Sequence, residues 1–261
     1  MKAMHTPATH SAPFDALAES YDAWYDAPRG RRIFSEEVTG LRDLLEEAPR
    51  PWLEVGVGTG RFAEALHIDE GIEPSETMRR LAANRGVTVR AGRAEALPYD
   101  SDSFGEVLLV MSLCFLDDPN AALRECRRIL RRDGVLIVGI VPRESPLGRR
   151  YAEKAAAGHP FYSKATFYTP RDVRRLAERA GFAFVRAVSC LLEPPGEAPP
   201  PASAPRDGIL PGAGFVAMSF APSPMAAEEF SACEAGDRET AHEMNGTGIC
   251  AHTQRQGSPP C

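Results

Sequence analysis

The sequence lacks a long apolar run, a paired set of cysteines and an excess of basic charge. None of its apolar stretches approaches the roughly 20 residues that cross a bilayer, and the first six residues lack the apolar segment of a secretory signal. The six cysteines show no paired spacing, so reduced thiols are expected, and Cys250 with His252 lacks the second pair that would complete a metal site. The net charge of −6 disfavours a partner chosen mainly for its phosphates. We therefore expect a cytoplasmic protein with no membrane, nucleic-acid or metal partner.

The composition is that of a globular protein with one main domain. The 261 residues are 43% hydrophobic and 25% charged, which suffices for one sizeable core or at most two small ones. We expect the domain over residues 37–221, after an N-terminal segment of residues 1–36. A proline-rich insert, residues 194–211, interrupts the domain, because proline joins helices and sheets poorly. Residues 222–261 show no sustained periodicity, and we expect them to be disordered.

Three glycines at alternate positions, Gly56, Gly58 and Gly60, follow a short apolar stretch. Residues 52–55 predict a buried strand, and residues 61–67 predict a helix. Glycine suits the tight turn between them because it tolerates positive φ and lets a ligand approach the backbone. The N–H groups at the start of the helix suit a carboxylate or a phosphate equally well. The glycines therefore predict a ligand-binding turn without choosing the ligand.

Two acidic residues near this turn narrow the choice. Glu54 lies two residues before the first glycine, where a carboxylate attracts an ammonium group and repels a pyrophosphate. The spacing Gly-x-Gly-x-Gly also differs from the Gly-x-Gly-x-x-Gly pattern of dinucleotide-binding folds. Residues 68–73 predict a second strand that ends in Glu73, an acid placed to accept hydrogen bonds from ribose hydroxyls. A ligand with an amino acid at one end and a nucleoside at the other satisfies both acids.

Strands and helices alternate along the rest of the chain. Ser75, Asp118 and Thr169 are typical N-caps, and a proline follows the latter two at the first helical position. The helix after Asp118 is expected to run to about residue 132. Repeated strand–helix units predict an α/β fold with a mostly parallel sheet covered on both faces. Ligands bind such sheets beyond the carboxyl ends of the strands, which is where the glycine turn lies.

With these motifs in order, residues 14–220 resemble the class I S-adenosylmethionine-dependent methyltransferases, in particular the ubiquinone and menaquinone C-methyltransferase group. Residues 54–60 resemble the motif that holds the methionine part of the cofactor. Glu73 with Pro74 resembles the ribose motif, and residues 92–98 resemble the motif on the adenine side. The resemblance therefore rests on an ordered series of motifs and not on the glycines alone.

The resemblance implies a Rossmann-like, doubly wound, mostly parallel sheet of seven strands, with a last antiparallel strand at residues 214–220. It implies S-adenosylmethionine as the cofactor and transfer of its methyl group to an acceptor. The residues that it places at the cofactor are Tyr21, Glu54, Gly56, Gly58, Gly60, Glu73, Pro74, Ala94, Glu95 and Met111. A nicotinamide-dependent oxidoreductase is one alternative, which the glycine spacing and Glu54 disfavour.

Two positions depart from the family pattern. Arg93 stands where the family usually has an aspartate for the adenine amino group, so adenine would rest on the backbone N–H groups of Ala94 or Glu95. The carboxylate of Glu95 could partly replace the missing aspartate. Gly105 stands where the family usually has an aspartate after Phe104. A non-catalytic regulatory protein that binds the same cofactor is therefore a second alternative.

Two segments outside the predicted sheet, residues 14–37 and 145–168, are candidates for the acceptor side. In the first, the resemblance places Tyr21 beside the cofactor in a lid formed by the N-terminal segment, with plain packing on the domain edge as the alternative. In the second, His159 and Tyr162 could act on or orient an acceptor, with an exposed loop or core packing as the alternatives. We expect a small organic acceptor; the catalytic residue, the accepting atom (oxygen, nitrogen, carbon or sulfur) and the oligomeric state stay open.

Overall fold

The computed structural model describes residues 12–45, 49–192 and 204–223, with side chains from residue 14 onward. Most of the expected proline-rich insert and all of the expected tail from residue 224 lie outside the described residues. Eight strands form a single sheet within the described ranges. They are β1 (Trp52–Val55), β2 (Glu70–Glu73), β3 (Val89–Ala91), β4 (Phe104–Val110), β5 (Leu130–Ile140), β6 (Phe182–Cys190), β7 (Arg206–Asp207) and β8 (Phe215–Pro222).

Seven α-helices in the described part of the chain accompany this sheet. They are α1 (Ala12–Trp24), α2 (Pro28–Arg42), α3 (Arg61–Leu66), α4 (Glu76–Asn84), α5 (Pro119–Ile129), α6 (Pro146–Ala156) and α7 (Pro170–Arg179). Ser75, Asp118 and Thr169 cap α4, α5 and α7 through side-chain oxygens, which confirms the predicted helix starts. None of the helices in the described ranges is long and apolar enough to cross a bilayer.

The sheet has the order β3-β2-β1-β4-β5-β8-β6-β7, parallel from β3 to β5 and with β8 antiparallel between β5 and β6. The Rossmann-like α/β fold with a late antiparallel strand is confirmed, but the expected number of seven strands is wrong. The eighth strand is β7, which pairs antiparallel with β6 and places Val188 opposite Asp207 and Ser189 opposite Arg206. A strand of two residues is too short to carry a hydrophobic period, so no sequence pattern marks it.

The helix predicted to run to about residue 132 ends at Ile129, which is a second correction. Leu130 opens β5 instead and lies opposite Phe104 of β4. Its side chain is fully buried in the core. Burial against the sheet therefore outweighs the helix propensity of the arginines that flank Leu130.

Alternate side chains of β4 pack on opposite faces of the sheet. Val107 and Leu109 join the core that includes α5 and α7, whereas Leu108 and Val110 join the core that includes α2 and α3. A strand buried on both faces reads as a continuous apolar run, as is typical of parallel sheets. These two cores hold β1, β2 and β4 in register, so the carboxyl ends of the three strands lie together at one edge.

The strand order reverses between β1 and β4, and the crevice beyond their carboxyl ends is where α/β sheets bind ligands. Gly105 lies at the opposite, amino-terminal end of β4. A Cβ at this position would collide with the carbonyl oxygen of Pro49, and the Gly105 N–H donates to the carbonyl of Pro51 at 3.0 Å. The missing aspartate at residue 105 therefore reflects close backbone packing away from the crevice.

Candidate active site

A cleft opens beyond the carboxyl ends of β1, β2 and β4 and encloses about 130 Å³. Nine of the ten residues expected at the cofactor line this cleft, and Gly60 does not. The nine are Tyr21, Glu54, Gly56, Gly58, Glu73, Pro74, Ala94, Glu95 and Met111. The fold thus brings together residues that are up to ninety positions apart in the sequence (Tyr21 to Met111).

All three glycines of the turn have positive φ, but the space around each of them is used differently. A Cβ on Gly56 would lie 2.6 Å from the Cβ of Ser112, so the turn packs directly on the end of β4. A Cβ on Gly60 would lie 2.9 Å from Ala82 of α4, so this glycine serves helix packing. At Gly58 the nearest atom to a Cβ is 3.9 Å away, and the space above it belongs to the cleft. Gly58 is therefore the position where the turn exposes bare backbone to a ligand.

Glu54 is a buried carboxylate at the base of the cleft, with an exposed fraction of 1%. Its Oε2 has no hydrogen-bond partner among the described residues. Burial raises the pKa of Glu54 well above its usual range, although the backbone N–H of Ala63 opposes the rise, and the nearby Glu73 adds to it. A buried carboxylate without a cation is costly, so Glu54 favours a ligand that brings a positive charge to the cleft.

Glu73 ends β2 on the other side of the glycine turn. Its Oε2 accepts a hydrogen bond from the Gly58 N–H at 3.1 Å, and its Oε1 accepts one from the Ser75 N–H at 2.9 Å. Burial raises the pKa of Glu73 in spite of these two hydrogen bonds. Each oxygen keeps a further acceptor position, so the carboxylate can still bind hydroxyl groups of a ligand.

Arg93 lies at the far end of the cleft and is held by two carboxylates. It forms ion pairs with Asp117 and with Glu95, the latter at 3.4 Å. The Oε1 of Glu95 also accepts a hydrogen bond from the Asp117 N–H at 3.1 Å. Glu95 is therefore engaged in this structure, and its carboxylate is shared between Arg93 and the backbone.

The N-terminal helix α1 is tied across the cleft by a network of ion pairs. Asp22 receives hydrogen bonds from Arg61 at 2.8 and 3.0 Å and from Arg85 at 2.6 Å. Burial opposes the ionisation of Asp22, but bonds from Arg61, Thr59 and Arg85 outweigh it and lower its pKa to about 2. A further hydrogen bond joins the Ser75 hydroxyl to Asp15 of α1. These contacts hold α1, and with it Tyr21, over the cleft.

A second, larger cavity of about 340 Å³ adjoins the cleft. Tyr21, Tyr25, Met111 and Phe115 line both spaces and form the boundary between them. The Tyr21 and Tyr25 hydroxyls are 2.9 Å apart. The second cavity is otherwise lined by α1, α2, β5, α6, the residues just after β4 and the residues after α6, and nine of its lining residues are aromatic. It is the space into which a second reactant could enter beside a ligand in the cleft.

His159 and Tyr162, the other two candidate catalytic residues, line the second cavity and not the cleft. The Nδ1 of His159 accepts a hydrogen bond from the Phe161 N–H at 3.3 Å, and the His159 ring lies 4.7 Å from that of Tyr162. Tyr162 in turn stacks on Tyr151 with ring centroids 4.4 Å apart. These two side chains therefore shape the aromatic cavity, whereas Tyr21 alone of the three reaches both spaces.

One residue of the second cavity was missed from the sequence. Glu37 of α2 is 2% exposed and lines the cavity. Burial, and then the neighbouring Glu36, raises the pKa of Glu37 to about 8. The signal in the sequence is an acid at helical spacing between Ile33 and Leu41, both of which are buried. A carboxylate in the apolar stripe of a helix is unusual enough to indicate a site.

Comparisons with known proteins agree with this geometry. Residues 53–138 match the family model described as "Methyltransferase domain". The crystal structure of a SAM-dependent methyltransferase from Thermotoga maritima, described as a possible histamine N-methyltransferase, superposes with a TM-score of 0.75 at 38% identity and covers 82% of this chain and 99% of its own. The chain belongs to the class I S-adenosylmethionine-dependent methyltransferases. The expectation from the motif series is thereby confirmed.

Further relatives of this methyltransferase differ in what is known of them. An uncharacterized protein of Mycobacterium tuberculosis is 46% identical over 213 residues, which are 82% of this methyltransferase and 74% of the relative. The malonyl-[acyl-carrier protein] O-methyltransferase of Laribacter hongkongensis is 30% identical over 192 residues, 66% of this methyltransferase and 63% of the relative. Family membership therefore supports methyl transfer as the class of chemistry and leaves the acceptor of this methyltransferase to be inferred from its own cavity.

Proposed function

We propose that this methyltransferase binds S-adenosylmethionine in the cleft and transfers its methyl group to a small molecule held in the second cavity. The observation that carries the proposal is the unpartnered buried oxygen of Glu54 at the base of a cleft that adjoins a cavity rich in aromatic side chains. A binding site for two reactants, side by side, is what a group transfer requires.

The residues of the cleft fit the cofactor part by part. Glu54 supplies a carboxylate for the methionine ammonium group, which would remove the cost of burying Glu54 alone. Glu73 offers its remaining acceptor positions to the ribose hydroxyls. Gly58 lets the methionine part approach the backbone. Ala94 and Glu95 line the far end, where their backbone would hold adenine in the absence of the usual aspartate.

When bound, S-adenosylmethionine supplies a methyl group on a sulfonium, which is already an activated electrophile. The protein then has to orient the acceptor and exclude water. Orientation of this kind contributes up to roughly 7 to 11 kcal/mol in favourable systems. Tyr21 of α1 and Tyr25, just after this helix, cover the boundary between the two spaces, and Asp22 fixes α1 to Arg61. No side-chain base is needed for an acceptor that is already nucleophilic.

Three further features bear on the accepting atom, the location of the protein and the size of the acceptor. The Thermotoga maritima relative is described as a possible N-methyltransferase, which favours nitrogen among the accepting atoms. The described cysteines Cys114, Cys126 and Cys190 are free thiols, in keeping with a cytoplasmic location. The net charge of −6 favours a small molecule over a nucleic acid as the acceptor.

The test is a transfer assay with methyl-labelled S-adenosylmethionine, the full chain and a mixture of small metabolites. We expect label in the small-molecule fraction and formation of S-adenosylhomocysteine in equal amount. A Glu54→Gln variant should lose at least about ten-fold in cofactor affinity, because the ammonium loses its charged partner. Binding of the cofactor by the wild type with no transfer to any fraction would instead support the non-catalytic alternative.

A further inference from the structure

Glu37 is the feature of the second cavity that the methyl-transfer chemistry leaves unexplained. It lies on α2 between the buried residues Ile33 and Leu41 and is itself 2% exposed. Among the described residues it has neither an ion pair nor a hydrogen bond, and the influences on its ionisation are burial and the charge of Glu36. A buried carboxylate that nothing neutralises costs stability. Its place in the wall of a cavity indicates that a ligand supplies the missing partner.

The walls around Glu37 are suited to a cation. Nine aromatic side chains line the same cavity, among them Tyr21, Trp24, Tyr25, Tyr151, Tyr162 and Tyr168. Glu37 is close enough to Tyr21, Tyr25 and Tyr151 to disfavour their ionisation. Aromatic faces attract ammonium groups, and they do so most strongly where water is excluded. Aromatic walls and one buried carboxylate therefore form a site for an organic cation.

We infer that the methyl acceptor carries a basic nitrogen and that Glu37 binds this nitrogen in its cationic form inside the second cavity. Because a protonated nitrogen has no lone pair, the methyl group goes to another, unprotonated atom of the same acceptor. The inference rests on the proposed function, because it assigns the acceptor of that reaction to a chemical class. The class is organic amines small enough to enter the cavity, and an aromatic or aliphatic body would pack on the surrounding rings.

The basic side chains near the cavity do not favour an anionic acceptor. Lys154 lines the cavity but is exposed, and its Nζ lies over the rings of Tyr151 and Tyr162 at 6.0 and 5.6 Å. Arg29 and Arg150 are exposed and line a smaller neighbouring pocket. Water screens exposed charges far more than buried ones. Once it is ionised, Glu37 is therefore the dominant charge inside the cavity.

Cation binding by Glu37 has a pH signature. With a pKa of about 8 the carboxyl is largely protonated at neutral pH, so binding of a cation must release its proton. Burial raises the pKa values of Tyr21, Tyr25, Tyr151 and Cys190, which keeps them neutral near pH 8. The titratable and charged groups that face Glu37 or share its cavity are Tyr21 of α1, Tyr25 just after it, Glu36 of α2, Cys114 after β4, Tyr151 and Lys154 of α6, His159, Tyr162 and Tyr168 after α6, and Cys190 of β6.

The experiment compares three probes of one shape and different charge: tyramine as the cation, 4-ethylphenol as the neutral form and 3-(4-hydroxyphenyl)propionate as the anion. Each is titrated calorimetrically into the full chain saturated with S-adenosylhomocysteine. We expect the cation to bind at least about ten-fold more tightly than the neutral probe, with the anion weakest. Tyramine affinity should rise with pH up to about pH 8, and proton release should appear as a dependence of the heat on the buffer.

Two variants locate the effect. Glu37→Gln should lose the preference for tyramine and its pH dependence while the affinity for 4-ethylphenol stays the same. Glu36→Gln is the matched control, because it makes the same change at the preceding residue. The Glu36 carboxylate pairs with Arg32 at 2.9 Å. The Glu36→Gln variant should keep the preference. If Glu37→Gln does not fold, the pH dependence and proton release of the wild type decide the question.

The outcomes separate this inference from the proposed function. If S-adenosylhomocysteine binds but the neutral or the anionic probe binds as tightly as tyramine, or if no probe binds, the inference about Glu37 is overturned and the proposed function stands. If S-adenosylhomocysteine itself does not bind, the proposed function fails and the inference fails with it. Equal loss of the preference in both variants would also overturn the role of Glu37.

Discussion

Arg61, the first residue after the glycine turn, donates hydrogen bonds to both carboxylate oxygens of Asp22 on α1, at 2.8 and 3.0 Å. Both side chains are 15% exposed, so water screens the pair only in part. Because Tyr21 is adjacent to Asp22, the same contact places a tyrosine at the boundary of the two cavities. The turn that exposes its backbone to the cleft and the helix that covers it are therefore one linked unit.

Replacing Asp22 by asparagine should loosen this unit. The pKa of Asp22 is lowered to about 2, so the carboxylate contributes stability above its unfolded pKa, and this contribution is lost as the pH falls towards 2. We expect Asp22→Asn to lower the free energy of unfolding by about 2 kcal/mol at neutral pH and to weaken binding of S-adenosylhomocysteine. Urea denaturation and calorimetry measure the two effects.

The control for this prediction is Asp26→Asn. Asp26 also pairs with Arg61, at 2.9 Å, but its side chain is 67% exposed. An exposed pair of this kind contributes about 0.2 to 1 kcal/mol, so we expect little change in stability and none in cofactor affinity. Equal effects of the two variants would contradict the role given to the buried pair.

Gly58→Ala should separate backbone strain from ligand contact. Gly58 and Gly86 both have positive φ, and a Cβ on either residue meets no atom closer than 3.9 Å. Alanine at each position should therefore cost about 1 kcal/mol of stability for the backbone alone. Only Gly58 lines the cleft, so only Gly58→Ala should reduce the affinity for S-adenosylhomocysteine, by at least about ten-fold. A similar loss in Gly86→Ala would argue that strain, and not contact, controls binding.

Glu73→Gln should weaken cofactor binding more than Glu70→Gln, which makes the same change at the other end of β2. Glu73 lies at the carboxyl end of β2 and lines the cleft, whereas Glu70 begins β2 and accepts a hydrogen bond from the Tyr99 hydroxyl at 2.9 Å. Hydrogen bonds to a charged group contribute about 1.5 to 3 kcal/mol, so we expect a loss of about ten- to a hundred-fold for Glu73→Gln. Glu70→Gln should bind S-adenosylhomocysteine like the wild type in the same titration.

Glu37→Gln should change how stability depends on pH. The folded pKa of Glu37 is about 8, whereas the unfolded value is about 4.3. Between these values the folded protein holds a proton that the unfolded chain has released, so wild-type stability falls as the pH rises. Relative to the wild type, the variant should gain about 4 kcal/mol between about pH 5 and about pH 8. Parallel pH profiles for the two proteins in urea denaturation would show that Glu37 titrates normally.

The parts of the fold that follow from local patterns could be predicted from the sequence. The cap residues Ser75, Asp118 and Thr169 and the glycine turn between β1 and α3 lie where capping and turn chemistry place them. The end of α5 was not predictable in the same way. Whether Leu130 continues the helix or enters the sheet depends on its pairing with Phe104 of β4, a contact between distant parts of the chain.

The same distinction between local patterns and long-range packing applies to the site. The cleft residues follow strand ends, so their convergence could be expected from a parallel sheet, and nine of the ten lie there. Gly60 differs because the close approach of Ala82 takes up the space beside it, a contact that no local pattern predicts. The second cavity depends on how α1, α2 and α6 pack together, and for this reason Glu37 was missed although its place in an apolar stripe marks it as unusual.

The central claim, a cofactor site for S-adenosylmethionine, is tested most directly by calorimetric titration of S-adenosylhomocysteine into the full chain. The account predicts saturable binding that is lost in Gly58→Arg and Glu73→Ala, together with proton release on binding of S-adenosylmethionine as Glu54 ionises against the ammonium group. NADH, whose pyrophosphate the Glu54 carboxylate repels, should not bind. No binding of S-adenosylhomocysteine, or equally tight binding of NADH, would contradict the account.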